Sequence, residues 1–282
     1  MSNKYLIFGQ ARSGTTTIAA CLTRKKGDMV QEPTCIRAGD RYLIEDEISK
    51  LNFVKRLPLD FYFNNVDFID HNPLDKALED KNNTYDYLDA IYSRFDGVKH
   101  IWNNNSYTTN LNIINYVKEK NIPVLFLHRN NLFDVEVSFH IVEASGVSQL
   151  SIEGNAAEDI QRVKNKVESC DVPKIHSARC FTSVVRSAYY LDSYWSELEN
   201  HKRKVISYED FYTKGDKKHN LMSVCEFLNI DFKTLNSSVI EERLLSKAVK
   251  QSSEKVTDKI ENMARFKQIQ LIHPRLSNFR LK

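Results

Sequence analysis

The stretch "KYLIFGQARSGTTTIAACL", residues 4–22, decides the fold. Its apolar run "YLIFG" (5–9) reads as a buried strand. The small residues after Thr15 suit a helix. Between them lies Gly9-Gln10-Ala11-Arg12-Ser13-Gly14-Thr15-Thr16, a loop with the glycine spacing of a phosphate cradle. The first N–H groups of a helix have no partner within it, so they bind oxyanions. Glycines let the backbone curl around the anion. Loops of this kind that hold triphosphates carry a lysine after the second glycine. Thr15 stands there instead, which disfavours ATP and GTP. What remains is a cradle for a single 5′-phosphate, with Arg12 as its cation.

Four further apolar runs read as buried parallel strands: "DMVQ" (28–31), "KHIWN" (99–103), "PVLFLHR" (123–129) and "KVISYED" (204–210). Helical patterns lie between them, at 84–96 with Thr84 as a cap, at 108–120, at 156–169 and at 178–199. This alternation predicts an α/β fold, a P-loop-like doubly wound sheet of about five parallel strands with helices on both faces. No internal repeat or low-complexity linker interrupts the chain. Residues 1–282 read as one domain, in which 33–98 and 147–190 line an acceptor pocket.

Composition narrows the function classes. Forty Lys and Arg stand against 37 Asp and Glu, a formal net charge of +3, which is not a nucleic-acid binder's surplus. The five cysteines, Cys21, Cys35, Cys170, Cys180 and Cys225, are scattered and form no CxxC pair. They predict free buried thiols, with no disulfide framework and no metal site. No apolar run reaches the roughly 18 residues of a membrane span. The polar opening "MSNK" shows no signal peptide. The expectation is a cytoplasmic protein, with a homodimer as an option that the sequence leaves open.

A second anion site is expected around "FLHRNNLFDVEVSFHIVEASG" (126–146). Arg129 ends the fourth strand, and Asn130 or Asn131 caps the next helix. Ser138 lies one turn further on, leaning towards the helix N-terminus. An anion above that terminus would meet the guanidinium, the hydroxyl and the helix dipole together.

Together these motifs resemble the PAPS-dependent sulfotransferases, whose donor is 3′-phosphoadenosine 5′-phosphosulfate. "RSGTT" after a strand is similar to their 5′-phosphosulfate loop, in the form with Arg that carbohydrate and bacterial members carry. Arg129 and Ser138 resemble the family's 3′-phosphate motif, with one extra residue of spacing. "KVISYEDFY" (204–212) resembles its strand ending in Y-E-D-L. "KQSSEKVTDKIEN" (250–262) resembles the tail that closes over the nucleotide. The resemblance implies that Gln10, Ala11, Arg12, Ser13, Gly14, Thr15, Thr16, Arg129, Ser138, Lys250 and Gln251 hold the donor, without a metal.

The transferred group needs charge stabilisation and a base. Arg12 is placed against the bridging oxygen, as an electrostatic partner and not a proton donor. Glu32, in "DMVQEPTC" at the carboxyl edge of the second strand, is the candidate general base. The resemblance supports it, since bacterial and carbohydrate members often carry Glu-Pro here. His71, His100 and His128 are rivals with structural readings of their own. The acceptor is expected to be a hydroxyl of a glycan, glycolipid or other small molecule, with Phe61, Tyr62, Phe63 and Tyr107 available to stack on it. A P-loop small-molecule kinase and a non-catalytic adenosine-bisphosphate-binding protein are the alternatives.

Overall fold

The computed structural model describes residues 4–24, 28–34, 44–57, 73–145, 165, 177–245, 260 and 263–281. Five parallel strands form one sheet in the order β2-β3-β1-β4-β5. They are β1 (Tyr5–Gly9), β2 (Met29–Gln31), β3 (Gly97–Ile101), β4 (Val124–His128) and β5 (Arg203–Ser207). The doubly wound α/β expectation therefore holds. The longer helices are α1 (Thr15–Leu22), α2 (Pro73–Leu78), α3 (Lys81–Tyr92), α4 (Tyr107–Glu119), α5 (Leu132–Ser145) and α6 (Ser177–Glu197), then α7 (Tyr208–Tyr212), α8 (Lys217–Leu228) and α9 (Met263–Ile272).

Side chains alternate across a strand, and β1 divides the core accordingly. Leu6 and Phe8 face α3, α4, α5 and α6, where Ile91, Val117, Phe133 and Tyr194 pack. Tyr5 and Ile7 face α1 and α8, where Ile18, Leu22, Leu221 and Val224 pack. Both faces are covered, which is why the strands read as continuous apolar runs. The same alternation puts the two polar residues of β3 on opposite faces. Lys99 lies in register with Ile7 on the α1 face, and His100 with Phe8 on the other.

The sheet reverses its winding at β1. The chain leaves β1 to build β2 and β3 on one side, then crosses to β4 and β5 on the other. Ligands in such sheets bind beyond the strand carboxyl ends at this reversal. Gly9 sits there, paired with Ile101 and Leu127.

Several boundaries differ from expectation. Helix α3 starts three residues before Thr84, because the Asp80 side chain accepts from the N–H groups of Asn82 and Asn83 at 2.8 and 3.1 Å. Thr84 is buried, and its hydroxyl donates to the Leu78 carbonyl. Strand β3 begins at Gly97, and residues 102–104 turn into a 3-10 helix. Strand β5 stops at Ser207, whose side chain caps α7 by accepting from Asp210 N–H at 3.1 Å. The expected helix at 156–169 lies outside the described residues. Cys21, Cys180 and Cys225 are free and buried, whereas Cys35 and Cys170 lie outside that set. Among the described residues no helix is long and apolar enough to cross a membrane.

Candidate functional site

The loop after β1 closes tightly on itself. Ser13 donates through both its backbone and its hydroxyl to the Gln10 carbonyl, at 3.3 and 2.5 Å. Both glycines are required. A Cβ on Gly9 would lie 2.2 Å from Thr15 Cγ2. Gly14 has φ 80°, and a Cβ there would lie 2.3 Å from the Tyr212 ring, whose hydroxyl donates to the Gly14 carbonyl at 2.7 Å. Helix α1 starts at this glycine without a side-chain cap, which leaves its N-terminus to an incoming acceptor.

Arg12 occupies the loop in the left-handed region, with φ 66°. Its Nε donates to Ser138 Oγ on α5 at 2.9 Å. The expected 5′ and 3′ positions thus adjoin. Burial pushes the Arg12 pKa down to about 10, and the nearby charge of Arg129 pushes in the same direction. Arg12 stays charged at neutral pH, and bringing a second guanidinium close to it is unfavourable unless negative charge offsets it.

Arg129 follows β4 and lies with its guanidinium 4.4 Å over the Tyr208 ring. Its N–H donates to Gln10 Oε1 at 3.2 Å. Its side-chain Nε is buried without a hydrogen-bond partner, as is Gln10 Nε2. Glu209 and Asp134 approach the guanidinium only at 3.8 and 3.9 Å. Two buried donors thus lie beside the loop, Gln10 Nε2 and an Arg129 Nε held only by a long ion pair to Glu209.

The N-terminus of α5 differs from expectation. Glu209 accepts from the N–H groups of Asn130 and Asn131 at 2.8 and 3.3 Å, so the chain's own carboxylate takes the dipole position foreseen for a ligand. Asn131 supplies the cap, accepting from Asp134 N–H at 3.4 Å.

Glu32 follows β2 and is also strained, with φ 49°. It is buried. Its Oε1 accepts from Lys99 Nζ at 2.6 Å, and its Oε2 accepts from Asn104 Nδ2 at 3.3 Å. Its N–H donates to the Lys99 carbonyl at 2.6 Å. The next residues are pinned as firmly. Tyr87 donates to the Pro33 carbonyl at 2.7 Å, and Thr34 donates to Asn105 Oδ1 at 2.9 Å. Asn103 Oδ1 accepts from Ala11 N–H at 2.9 Å and ties this edge to the phosphate loop.

Two rival histidines, His100 and His128, belong to the core. His100 faces Phe8 and pairs Nε2 with Asn110 Oδ1 at 2.7 Å. His128 is buried beside Phe279. His71, Lys250, Gln251, Phe61, Tyr62 and Phe63 lie outside the described residues. Tyr107 stacks on Tyr190 and Tyr194. Among the described residues no three His, Cys, Asp or Glu side chains gather as a metal site.

Lys99, Asn104, Glu209 and Tyr212 adjoin the candidate site without having been singled out from the sequence. Lys99 carried a signal: a charged residue within an apolar strand run must find a partner when buried. No protein-family model matches this chain, and no curated protein matches it.

Proposed function

We propose that the chain binds an adenosine 3′,5′-bisphosphate framework and transfers a sulfuryl group from 3′-phosphoadenosine 5′-phosphosulfate to an acceptor hydroxyl. One observation carries the reading: the half-buried, charged Arg12 is hydrogen-bonded to Ser138 while a second guanidinium, Arg129, disfavours its charge. Such a pair is stabilised by an anion lying between or beside its members. The buried donors Gln10 Nε2 and Arg129 Nε, neither of which makes a hydrogen bond, fit a phosphate-bearing ligand. The loop lacks the lysine that a triphosphate needs.

The donor supplies the sulfuryl group and departs as the bisphosphate. Arg12 and the α1 amides offset the charge that grows on the leaving phosphate oxygen. Glu32 takes the acceptor hydroxyl's proton while the new O–S bond forms and the S–O bond to phosphate breaks. Lys99 and Asn104 both donate to this carboxylate and fix its orientation. A glycan, a glycolipid or another small molecule is the acceptor class.

Calorimetry is the first test. Adenosine 3′,5′-bisphosphate binds and ATP does not, and labelled donor then passes sulfate to a member of an acceptor screen. Tighter binding of ATP than of the bisphosphate overturns the reading in favour of a kinase. Binding without transfer to any acceptor supports a non-catalytic module.

A further inference from the structure

Lys99 is a buried lysine in the middle of a sheet, on the face that carries α1. Its Nζ donates to Thr16 Oγ1 at 2.9 Å, to Gln31 Oε1 at 3.3 Å and to Glu32 Oε1 at 2.6 Å. An ammonium has three N–H bonds, and these three acceptors use all of them. Lys99 therefore has no donor left for a phosphate. It does not replace the lysine missing from the loop.

Burying this charge is costly. An apolar pair of similar volume in place of a buried ion pair is often neutral or stabilising. Something other than stability must account for a lysine here, and its three acceptors indicate what. Thr16 is the second residue of α1, at the mouth of the phosphate loop. Because its oxygen accepts from an ammonium, its own proton is directed away from Lys99 and is polarised towards an acceptor. Glu32, the proposed base, is held in a strained conformation through both its carboxylate and its backbone N–H, each bonded to Lys99.

We infer that Lys99 is a positioning residue that joins the two halves of the site: it aims the Thr16 hydroxyl at the ligand phosphate and holds the Glu32 carboxylate at the acceptor side. This inference rests on the proposed binding of an adenosine bisphosphate and names a residue that acts on that ligand only through others.

The test combines stability with binding of adenosine 3′,5′-bisphosphate. Lys99→Met alone strands the Glu32 carboxylate, so the working variant is Lys99→Met with Glu32→Gln, which removes both charges. It is expected to unfold no more easily than wild type, yet to bind the bisphosphate about tenfold more weakly. Thr16→Val is expected to lose about tenfold as well, and Thr16→Ser, which keeps the hydroxyl, to bind as wild type. Adding Thr16→Val to the paired variant costs nothing further, because lysine and hydroxyl act as one unit. Multiplying losses, wild-type affinity in the paired variant, or a large loss of its stability each overturn the role of Lys99 alone. A wild-type chain that ignores the bisphosphate overturns the function with it.

Discussion

Arg12 and Glu32 share a backbone conformation that their residue types disfavour, with φ 66° and 49°. The other described non-glycine residues with positive φ are Asn121, Asn200 and Asn229, and asparagine tolerates this region. The two strained residues are thus the two proposed to touch the reacting group. Such strain costs on the order of 1–3 kcal/mol per residue and persists where the surroundings enforce it. Ser138 and Arg129 surround one of these residues, and Lys99 and Asn104 surround the other.

Arg12→Gly separates stability from function. The substitution relieves the left-handed strain and removes a half-buried charge beside Arg129. It is expected to raise unfolding stability by about 1–3 kcal/mol while sulfuryl transfer falls on the order of 100- to 1000-fold. Denaturant unfolding and labelled-donor assays read the two effects. A variant that melts below wild type contradicts the strain argument.

Glu32 is examined by two substitutions. Glu32→Ala leaves the Lys99 ammonium without its closest acceptor, a loss of about 3–5 kcal/mol. Glu32→Gln keeps an oxygen for Lys99 and loses less. It folds, retains the bisphosphate and abolishes transfer. Transfer at wild-type rate by the Gln variant would rule out a base at this position.

The C-terminal segment reaches the site through Phe279. Its ring is buried and its N–H donates to the Asn130 carbonyl at 2.7 Å, one residue after Arg129. Asn130 is held on its other sides by Glu209 and Ser207. Phe279→Ala is expected to cost about 3–5 kcal/mol of stability and to weaken bisphosphate binding. Calorimetry at a temperature where the variant is folded measures the second effect. Unchanged affinity there would confine Phe279 to the core.

Acid sensitivity is predicted at His128. Burial pushes its pKa below the ordinary value, and the same cause acts on His100. The unfolded chain therefore takes up these protons first. Their contribution to stability is complete above about pH 6.5 and is lost as pH falls towards the folded-state values. His128→Phe removes one such proton and flattens the slope by up to about 1.4 kcal/mol per pH unit. Glu136, whose pKa burial raises, titrates alike in both proteins and drops out of the difference. Parallel stability curves between pH 7 and 5 would show that His128 carries none of the slope.

Strands β1, β3 and β4 were legible because each is a local run buried on both faces. Their ends were less legible, since local chemistry competes there. Tyr208, Glu209 and Asp210 looked like strand and open a helix instead, which Ser207 at the strand end caps. Thr84 looked like a cap but is buried, because Asp80 lies earlier and accepts two N–H groups. At the site, the loop glycines and Arg12 stood out by spacing. Lys99 was visible only as an anomaly, and Glu209 only as part of a fold marker.

The amino-acid order alone determined the alternation of strand and helix and the glycine-bounded loop, since both depend on neighbours a few positions apart. Folding in three dimensions decided the strand order, the reach of Arg12 to Ser138 and of Lys99 to Thr16 and Glu32, and the filling of the α5 N-terminus by Glu209. Those contacts join residues 67 to 126 positions apart, or 78 and 79 for Glu209. Buried charge and hydrogen-bond satisfaction select them, and no local periodicity encodes them.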